Sequence, residues 1–305
     1  MKKIAISVGD INGVGIQLML QSHKTISKLC EPIYCINDIM LEKSCFALNI
    51  KRPKNMLLSQ IQGDFDIKPG IVDKDAGKYS YLSFVDAITQ TIDGKVHALA
   101  TLPINKQSWS KANIGFVGHT QLLRDKFLQN SIMMMGCEYM FVALYTDHLA
   151  IKDISNKIIK KDIVEFLITL YHRLNTIDTN IAVLGLNPHS GDDGIIGCED
   201  IKITQAINEA NKILSKDIFV GPIVPDVAFI KTNRQKYKLF VAMYHDQGLS
   251  PLKALYFDEV INISLSETIK RTSVGHGTAF DIAYKKENNL SSKSYINCIK
   301  YLVNS

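Results

Sequence analysis

Short apolar runs of strand length alternate with helical periodicity along the chain, and this alternation constrains the fold more than any other feature. Residues 4–8, 32–36 and 96–101 are apolar, β-rich runs. In 78–93 the apolar side chains recur three or four positions apart, as they do on one face of a helix. Strands separated by helices are typical of an α/β protein with a parallel sheet. The sequence therefore predicts an α/β fold.

Composition excludes disordered and membrane-spanning chains. Of the 305 residues, 46% are hydrophobic and 21% are charged, the balance of a folded globular protein. No run reaches the roughly 18 consecutive apolar residues of a spanning helix, and the first residues lack a signal-peptide pattern, so we expect no membrane segment. The six cysteines form no CxxC pair, which favours reduced thiols and a cytoplasmic protein.

The distribution of charge indicates the kind of partner. The net charge of +5 is spread along the chain, whereas nucleic-acid-binding proteins concentrate Lys and Arg on one face or arm. We therefore expect no nucleic-acid partner. A small phosphorylated or carboxylated substrate suits this charge equally well.

Three histidines, His148, His189 and His245, follow three predicted strands. Those strands are the apolar runs 140–145, 181–186 and 239–244. Because parallel strands end at the same edge of a sheet, where α/β proteins bind ligands, the three imidazoles could converge, although each alone could have a structural or surface role. Three protein ligands with an open position are typical of a catalytic metal site. Asp147, Asp226 and Asp246 could orient the ligand rings, or they could be ordinary loop charges.

Other histidines show no such pattern. His172 lies opposite the apolar stripe of its predicted helix, so we expect it to be exposed to solvent. His23 sits on a predicted surface helix.

An anion site is predicted where polar groups precede a helix. His119 and Thr120 offer a ring nitrogen, a hydroxyl and backbone N–H groups near a helix start, an arrangement that suits phosphate, although Thr120 could instead be only a helix cap. Lys253 and Arg271 could add a point charge and a rigid bidentate fork. The early glycines, Gly13 included, lack the complete GxGxxG pattern and its downstream acidic residue, so no classical Rossmann site is predicted.

Several of these blocks resemble the 4-hydroxythreonine-4-phosphate dehydrogenase family. The likeness covers nearly the whole chain and is carried by residues 9–15, 103–106, 118–120, 186–191, 244–248 and 271–279. It implies an α/β/α fold like that of isocitrate and isopropylmalate dehydrogenases, with two subdomains flanking an active-site cleft. The first subdomain would comprise 1–127 plus 272–305, with the chain termini and the cofactor loop. The second, 128–271, would hold the metal ligands and the dimer interface.

The resemblance also implies roles for individual residues. The positions of His148, His189 and His245 bind a divalent cation in the family, which is zinc, cobalt or magnesium. Asp226 and Asp246 match carboxylates that keep this site intact. The positions that hold the substrate, largely through its phosphate, are His119, Thr120, Lys253, Asn262 and Arg271. The cofactor loop is matched by His276, Gly277 and Thr278.

The implied reaction is NAD(P)-dependent oxidation of 4-phosphooxy-L-threonine at C3, followed by decarboxylation to 3-amino-2-oxopropyl phosphate, in pyridoxal 5'-phosphate biosynthesis. Members of the family are homodimers with shared active sites, and the product passes to the pyridoxine 5'-phosphate synthase step. The choice between NAD and NADP stays open, because Gly275 stands where the family commonly has Asp. The general base also stays open among a metal-bound water, Lys106 and an aspartate.

Three alternative functions remain compatible with the same residues. A related dehydrogenase could act on a phosphorylated four-carbon sugar acid, threonate or erythronate phosphate, with an unchanged phosphate site. A metal-dependent hydrolase or lyase could use the three histidines without a nicotinamide. A non-catalytic phosphate- or metal-binding protein would leave the segment 271–283 without a role.

Overall fold

The computed structural model describes residues 1–126, 131–174, 179–285 and 289–305. In the first part of the chain its elements are β1 (Lys3–Ser7), α1 (Gly15–Ile26), β2 (Glu31–Cys35), α2 (Asp38–Leu48), β3 (Leu57–Leu58), α3 (Lys74–Ile92), β4 (Ala98–Thr101), α4 (Lys106–Lys111) and α5 (His119–Lys126). The middle part contains β5 (Ile132–Cys137), β6 (Met140–Leu144), α6 (Ile151–Lys157), α7 (Lys160–Arg173), β7 (Ile181–Leu184), α8 (Glu199–Leu214), β8 (Phe219–Ile223), α9 (Pro225–Ala228), α10 (Lys231–Lys236), β9 (Leu239–Ala242) and α11 (His245–Tyr256). The last elements are β10 (Ile261–Leu265), β11 (Arg271–Val274) and α12 (Lys293–Asn304).

The predicted alternation of strands and helices is confirmed. Each predicted strand is present and differs from its apolar run by one or two residues at an end. The helix predicted over 78–93 begins earlier, at Lys74, because the Asp73 side chain caps it by accepting hydrogen bonds from the backbone N–H groups of Asp75 and Ala76. None of the described helices combines the length and the hydropathy that a bilayer span requires.

Two compact units divide the chain. The first unit comprises residues 1–131 and 261–305, and its strands lie in the order β3-β2-β1-β4-β11-β10. β1 pairs in parallel with β2 and β4, and β11 pairs in parallel with β4 but antiparallel with β10. The aromatic side chains of Phe84 and Trp109 are buried in its core.

The segment 261–271 belongs to the first unit, whereas the sequence prediction placed it in the second. The reason is β-pairing: β10 forms an antiparallel hairpin with β11, which lies beside β4. The other predicted boundary, between residues 127 and 128, lies outside the described residues.

The second unit, residues 132–260, has the strand order β5-β6-β9-β7-β8. β6, β9, β7 and β8 are parallel, and β5 pairs antiparallel with β6. Leu144 of β6 lies opposite Ala242 of β9, and Val183 of β7 lies opposite Val241 of β9, so the three strands end level with one another. The chain segments that follow them therefore emerge at one sheet edge.

His172 and His23, two of the histidines outside the site, differ in exposure. His172 is exposed on α7, as predicted. The expectation for His23 was wrong, because its ring is buried and hydrogen-bonded to the Tyr34 hydroxyl at 2.9 Å and to the Lys54 carbonyl at 3.0 Å.

Candidate functional site

Hydrogen bonds tie together the ends of β6, β9 and β7. The Met243 carbonyl accepts hydrogen bonds from the backbone N–H of Thr146 at 3.2 Å and from its hydroxyl at 2.6 Å. The Gln247 side chain accepts from the Met243 N–H at 2.7 Å and donates to the Gly185 carbonyl at 2.7 Å. One glutamine amide therefore links the edge of β9 to that of β7.

His148 and His245 lie close together at this edge. Their ring centroids are 5.8 Å apart. The Nδ1 atom of His245 is 2.6 Å from the Asp246 carboxylate, and that of His148 is 3.5 Å from the Asp147 carboxylate. A carboxylate on Nδ1 fixes the ring and leaves Nε2 for a metal ion, the common arrangement around metal-binding histidines. The donor chemistry of this pair thus fits a divalent cation.

His189 lies on the loop that follows β7, in an unusual backbone conformation. It starts a run of six residues with positive φ that ends at Gly194, and its own φ is 53°. Left-handed helical conformation costs L-residues roughly 1–2 kcal/mol each, so contacts elsewhere must hold this loop. Within the described ranges no three His, Cys, Asp or Glu side chains are already set to hold a metal ion. The structure therefore brings two of the predicted ligands together, and the three-histidine site stays a prediction.

Asp226, the second predicted supporting carboxylate, is exposed at the start of α9 in the second unit. It lines an open groove of about 620 Å³ together with Gln247, Ile230 and Leu255. Gln247 is the residue that links the strand ends, so Asp226 lies close to the edge that carries the histidines.

A second group of polar side chains surrounds Arg271 in the first unit. Its guanidinium is almost fully buried and donates hydrogen bonds to the hydroxyls of Thr101 at 2.9 Å and Ser264 at 3.3 Å. Burial lowers the pKa of Arg271 to about 10. At neutral pH this group is therefore a buried cation held by neutral hydroxyls, and its Nε has no hydrogen-bond partner. Such a cation is well suited to a phosphate dianion.

His119 packs against the same guanidinium. Its Nδ1 is 3.3 Å from an Arg271 Nη atom, and its ring lies 4.2 Å from the Phe84 ring and 5.7 Å from the Trp109 ring, centroid to centroid. Burial, and secondarily the Arg271 charge, holds the pKa of His119 well below its usual value, so the ring is neutral. Because Arg271 has only N–H donors, Nδ1 must accept, and the ring proton must be on Nε2. This Nε2–H is buried and unpartnered, which leaves a donor ready for a ligand.

The other predicted substrate residues occupy both units. Thr120 is half-buried in the first turn of α5, next to His119. Asn262 of β10 is paired with Ser273, and Ser264 is paired with Arg271, so Asn262 and Arg271 lie on the same face of the hairpin. Lys253 is half-buried on α11, in the second unit. The structure thus groups His119 with Arg271 and places Asn262 on the same face of the hairpin as Arg271. That His119, Thr120, Lys253, Asn262 and Arg271 bind the substrate stays a prediction.

The predicted cofactor residues lie against the glycine-rich turn after β1. The Thr278 carbonyl accepts a hydrogen bond from the Val14 N–H at 3.0 Å. A Cβ on Gly13 would come within 2.8 Å of that carbonyl, so only glycine allows this approach. The Nδ1–H of His276 donates a hydrogen bond to the Gly277 carbonyl at 3.0 Å, while its Nε2 is buried without a partner. The glycine-rich turn therefore supports the segment 276–278, and the role of this segment in cofactor binding stays a prediction.

Asp10, in the same turn, is a fully buried carboxyl group. Burial raises its pKa to about 6, against the hydrogen bond that its Oδ1 accepts from the Asn12 N–H at 3.0 Å. Its Oδ2 and the nearby Ser108 hydroxyl form no hydrogen bond of normal geometry. The protein thus holds a carboxyl group that titrates close to neutral pH.

We expect Asp10→Asn to stabilise the protein increasingly as pH rises. The native carboxyl keeps its proton up to about pH 6, whereas the unfolded one loses it near pH 4, so the native state binds more protons in this range and wild-type stability falls as pH increases. The neutral amide removes this dependence. Urea unfolding should show that the free energy of unfolding of Asp10→Asn, relative to that of wild type, is about 2–3 kcal/mol higher at pH 7 than at pH 4. A difference that is constant across this range would contradict the assignment.

Three residues of the site were not predicted from the sequence: Thr101, Ser264 and Gln247. Thr101 is the last residue of a predicted strand, and Gln247 lies within a block that carries the family resemblance, so both had a detectable signal. Ser264 faces Arg271 only because β10 and β11 form a hairpin.

Comparisons with known proteins agree on one family. The family model described as pyridoxal phosphate biosynthetic protein PdxA matches residues 28–302. A 4-hydroxythreonine-4-phosphate dehydrogenase from Sulfurimonas denitrificans is 51% identical over 298 residues, covering 98% of this chain and 96% of that protein. The crystal structure of a 4-hydroxythreonine-4-phosphate dehydrogenase from Klebsiella pneumoniae matches with a TM-score of 0.83 and 27% identity, covering 99% of this chain and 100% of that one.

A more distant structural match concerns the fold alone. Isocitrate dehydrogenase from Methylococcus capsulatus aligns with a TM-score of 0.51 at 10% identity, covering all of this chain and 85% of that one. The predicted likeness to the isocitrate dehydrogenase fold is therefore confirmed. The extent of the family match and the identity to its members establish that this chain belongs to the PdxA family of pyridoxal phosphate biosynthetic proteins.

Proposed function

We propose that this chain is a 4-hydroxythreonine-4-phosphate dehydrogenase that oxidises 4-phosphooxy-L-threonine at C3 with NAD or NADP and releases CO₂, forming 3-amino-2-oxopropyl phosphate. The activity is supported by membership of the family and by relatives that carry this name and are identical to the chain at about half of all positions. The structural observation that carries the proposal is the buried Arg271 cation beside the Nε2–H donor of His119. Together they suit one phosphate group.

The phosphate would orient the substrate. Arg271 would supply a cation with fixed direction, and neutral His119 would add an uncharged donor. Thr120, Lys253 and Asn262 complete the proposed set. Holding the substrate in one orientation can lower the barrier of the chemical step by several kcal/mol without any change in the reacting groups.

His148, His189 and His245 are the proposed ligands of a divalent cation, zinc, cobalt or magnesium. Such an ion supplies Lewis acidity at the oxygen of the reacting carbon. The Asp246 carboxylate at 2.6 Å from Nδ1 of His245, and the more distant Asp147 carboxylate at 3.5 Å from Nδ1 of His148, would leave each Nε2 as the ligand atom. Asp226 is proposed as a further supporting carboxylate.

The nicotinamide cofactor is proposed to bind at His276, Gly277 and Thr278. This segment is fixed on the turn after β1 by the Val14–Thr278 hydrogen bond and by the Tyr284 hydroxyl, which donates to the Ile11 carbonyl at 2.8 Å. The buried, unpartnered Nε2 of His276 is the group in this segment that needs a ligand.

A homodimer with shared active sites is proposed as the working form. The groove that contains Asp226 is flanked by exposed apolar side chains, with Ile230 exposed by 49% and Leu255 by 45%. A second copy of the chain would cover them. We place the protein in the cytoplasm, where its free cysteines stay reduced and its product reaches the pyridoxine 5'-phosphate synthase step.

The decisive experiment is a spectrophotometric assay of NADH or NADPH formation. With 4-phosphooxy-L-threonine and a nicotinamide we expect turnover, its loss on removal of divalent cations with a chelator, and its recovery on addition of zinc, cobalt or magnesium. The substrate panel includes threonate and erythronate phosphates. Turnover of these acids and not of 4-phosphooxy-L-threonine would identify the alternative dehydrogenase, and absence of any nicotinamide reduction with all metals would refute the proposal.

A further inference from the structure

A buried carboxylate organises the loop that carries His189. Asp200, in the first turn of α8, is 2% exposed. Its Oδ1 accepts a hydrogen bond from the Leu186 N–H at 2.8 Å, and its Oδ2 accepts from the Asn187 N–H at 3.1 Å and from the Asn187 side-chain amide at 2.9 Å. All three donors belong to the two residues that precede Pro188 and His189.

Three glycines leave room for the Asp200 carboxylate and for the Asn187 side chain that donates to it. A Cβ on Gly185 would come within 2.5 Å of Asp200 Oδ1, and a Cβ on Gly191 would lie 3.3 Å from Oδ2. A Cβ on Gly197 would come within 2.5 Å of the Asn187 side-chain nitrogen. The loop from 185 to 197 is therefore wrapped around Asp200 and Asn187.

This arrangement offsets the cost of the left-handed backbone. The residues from His189 to Asp193 have φ between 44° and 80°, which L-residues adopt only when surrounding contacts impose it. Charge-assisted hydrogen bonds from a buried carboxylate are among the strongest contacts available to a loop. Asp200 supplies three of them directly before the run begins.

We propose that Asp200 is a positioning residue for His189: it sets the backbone from which the imidazole reaches the divalent cation, without contacting the cation itself. The inference rests on the proposed function, because it takes His189 as a metal ligand. It predicts that Asp200 controls the affinity of the site for metal and leaves nicotinamide binding unchanged.

Asp200→Asn tests this with a side chain of the same shape. An amide has one acceptor oxygen and one NH₂ group, so in either orientation at least one N–H of Leu186 or Asn187 faces another donor. Residues that orient metal ligands typically change metal affinity 10- to 100-fold when replaced, and we expect a loss of about this size. Asn187→Ala removes the side-chain amide, which donates to Asp200 and also to Glu199 at 2.9 Å, and keeps both backbone donors, so it should cause a smaller loss in the same direction.

The measurement is titration of the metal-free protein with Co²⁺ alone, followed by its visible absorption bands, in parallel with NAD⁺ binding and the thermal unfolding midpoint. Asp162→Asn is the matched control, since Asp162 is also an acidic residue in the first turn of a helix, α7, but is exposed. We expect Co²⁺ affinity to fall in Asp200→Asn and Asn187→Ala and to stay at the wild-type value in Asp162→Asn. NAD⁺ affinity should be the same in all four proteins.

Each other outcome overturns a specific statement. Wild-type Co²⁺ affinity in Asp200→Asn would overturn the positioning role while leaving the metal site intact. Equal losses of Co²⁺ and NAD⁺ affinity would show a general folding defect and would also overturn it. If Asp200→Asn does not fold, Asn187→Ala decides in the same way. Absence of Co²⁺ binding by the wild type would refute the proposed metal site itself, and this inference with it.

Discussion

Replacing His245 with alanine is expected to abolish binding of the divalent cation and to lower turnover by more than about 100-fold. Residues that only orient metal ligands contribute up to about 100-fold, and loss of a ligand itself should cost more. The ring of His245 lies next to that of His148, and its Nδ1 is 2.6 Å from the Asp246 carboxylate. The substitution therefore removes one proposed ligand and the shorter of the two contacts between a histidine Nδ1 and a carboxylate. Metal content after dialysis and the rate of NADH formation measure the two effects.

His172→Ala is the control for this variant. His172 is exposed on α7 and lies in the same unit, so its removal should leave both metal content and turnover unchanged. Full metal content in the His245→Ala protein would mean that the ion binds elsewhere, and the ligand set would then have to be reassigned.

Arg271→Ala should raise the KM for 4-phosphooxy-L-threonine by roughly 100-fold or more, because each hydrogen bond to a charged group contributes about 1.5–3 kcal/mol and a guanidinium can make two to one phosphate. The cation is buried, where charges interact more strongly than in water. Metal content should stay at the wild-type value, since Arg271 and the histidines belong to different units. Initial rates across substrate concentration, together with metal analysis, test both statements.

Two further variants define what Arg271 contributes. Arg271→Lys keeps the charge but loses the planar fork, so we expect it to restore only part of the affinity. Lys270→Ala removes the same charge at the neighbouring, exposed position and should leave KM unchanged. Equal KM values for Arg271→Ala and wild type would show that Arg271 does not bind the substrate phosphate.

The sequence was sufficient to predict the α/β fold and the edge at which the histidines emerge. Each of these predictions depends on local patterns: apolar runs define strands, and parallel strands end on the same side. Because β6, β9 and β7 end level with one another, His148 and His245 lie close together, as this reasoning predicts. Convergence of His189 does not follow from strand order, because its position also depends on a run of six residues with positive φ.

What the sequence could not predict depends on contacts between distant residues. Thr101 and Arg271 are 170 positions apart and meet only because β11 lies beside β4. The same pairing moves the segment 261–271 into the first unit. His23 is buried because Tyr34 and the Lys54 carbonyl satisfy its two nitrogens, a situation that helical periodicity alone does not reveal.

The division of the chain has a consequence for its synthesis. The first unit is interrupted after residue 131 and resumes at 261, and β11 fills the place between β4 and β10. While the ribosome makes residues 132–260, β4 has β1 on one side and an unpaired edge on the other. The second unit is continuous and can fold as soon as it emerges, since domains generally fold as units during translation. Closure of the first unit must wait for residues 261–305, so a nascent chain carries an exposed strand edge, the kind of feature that promotes aggregation, until that segment has been made.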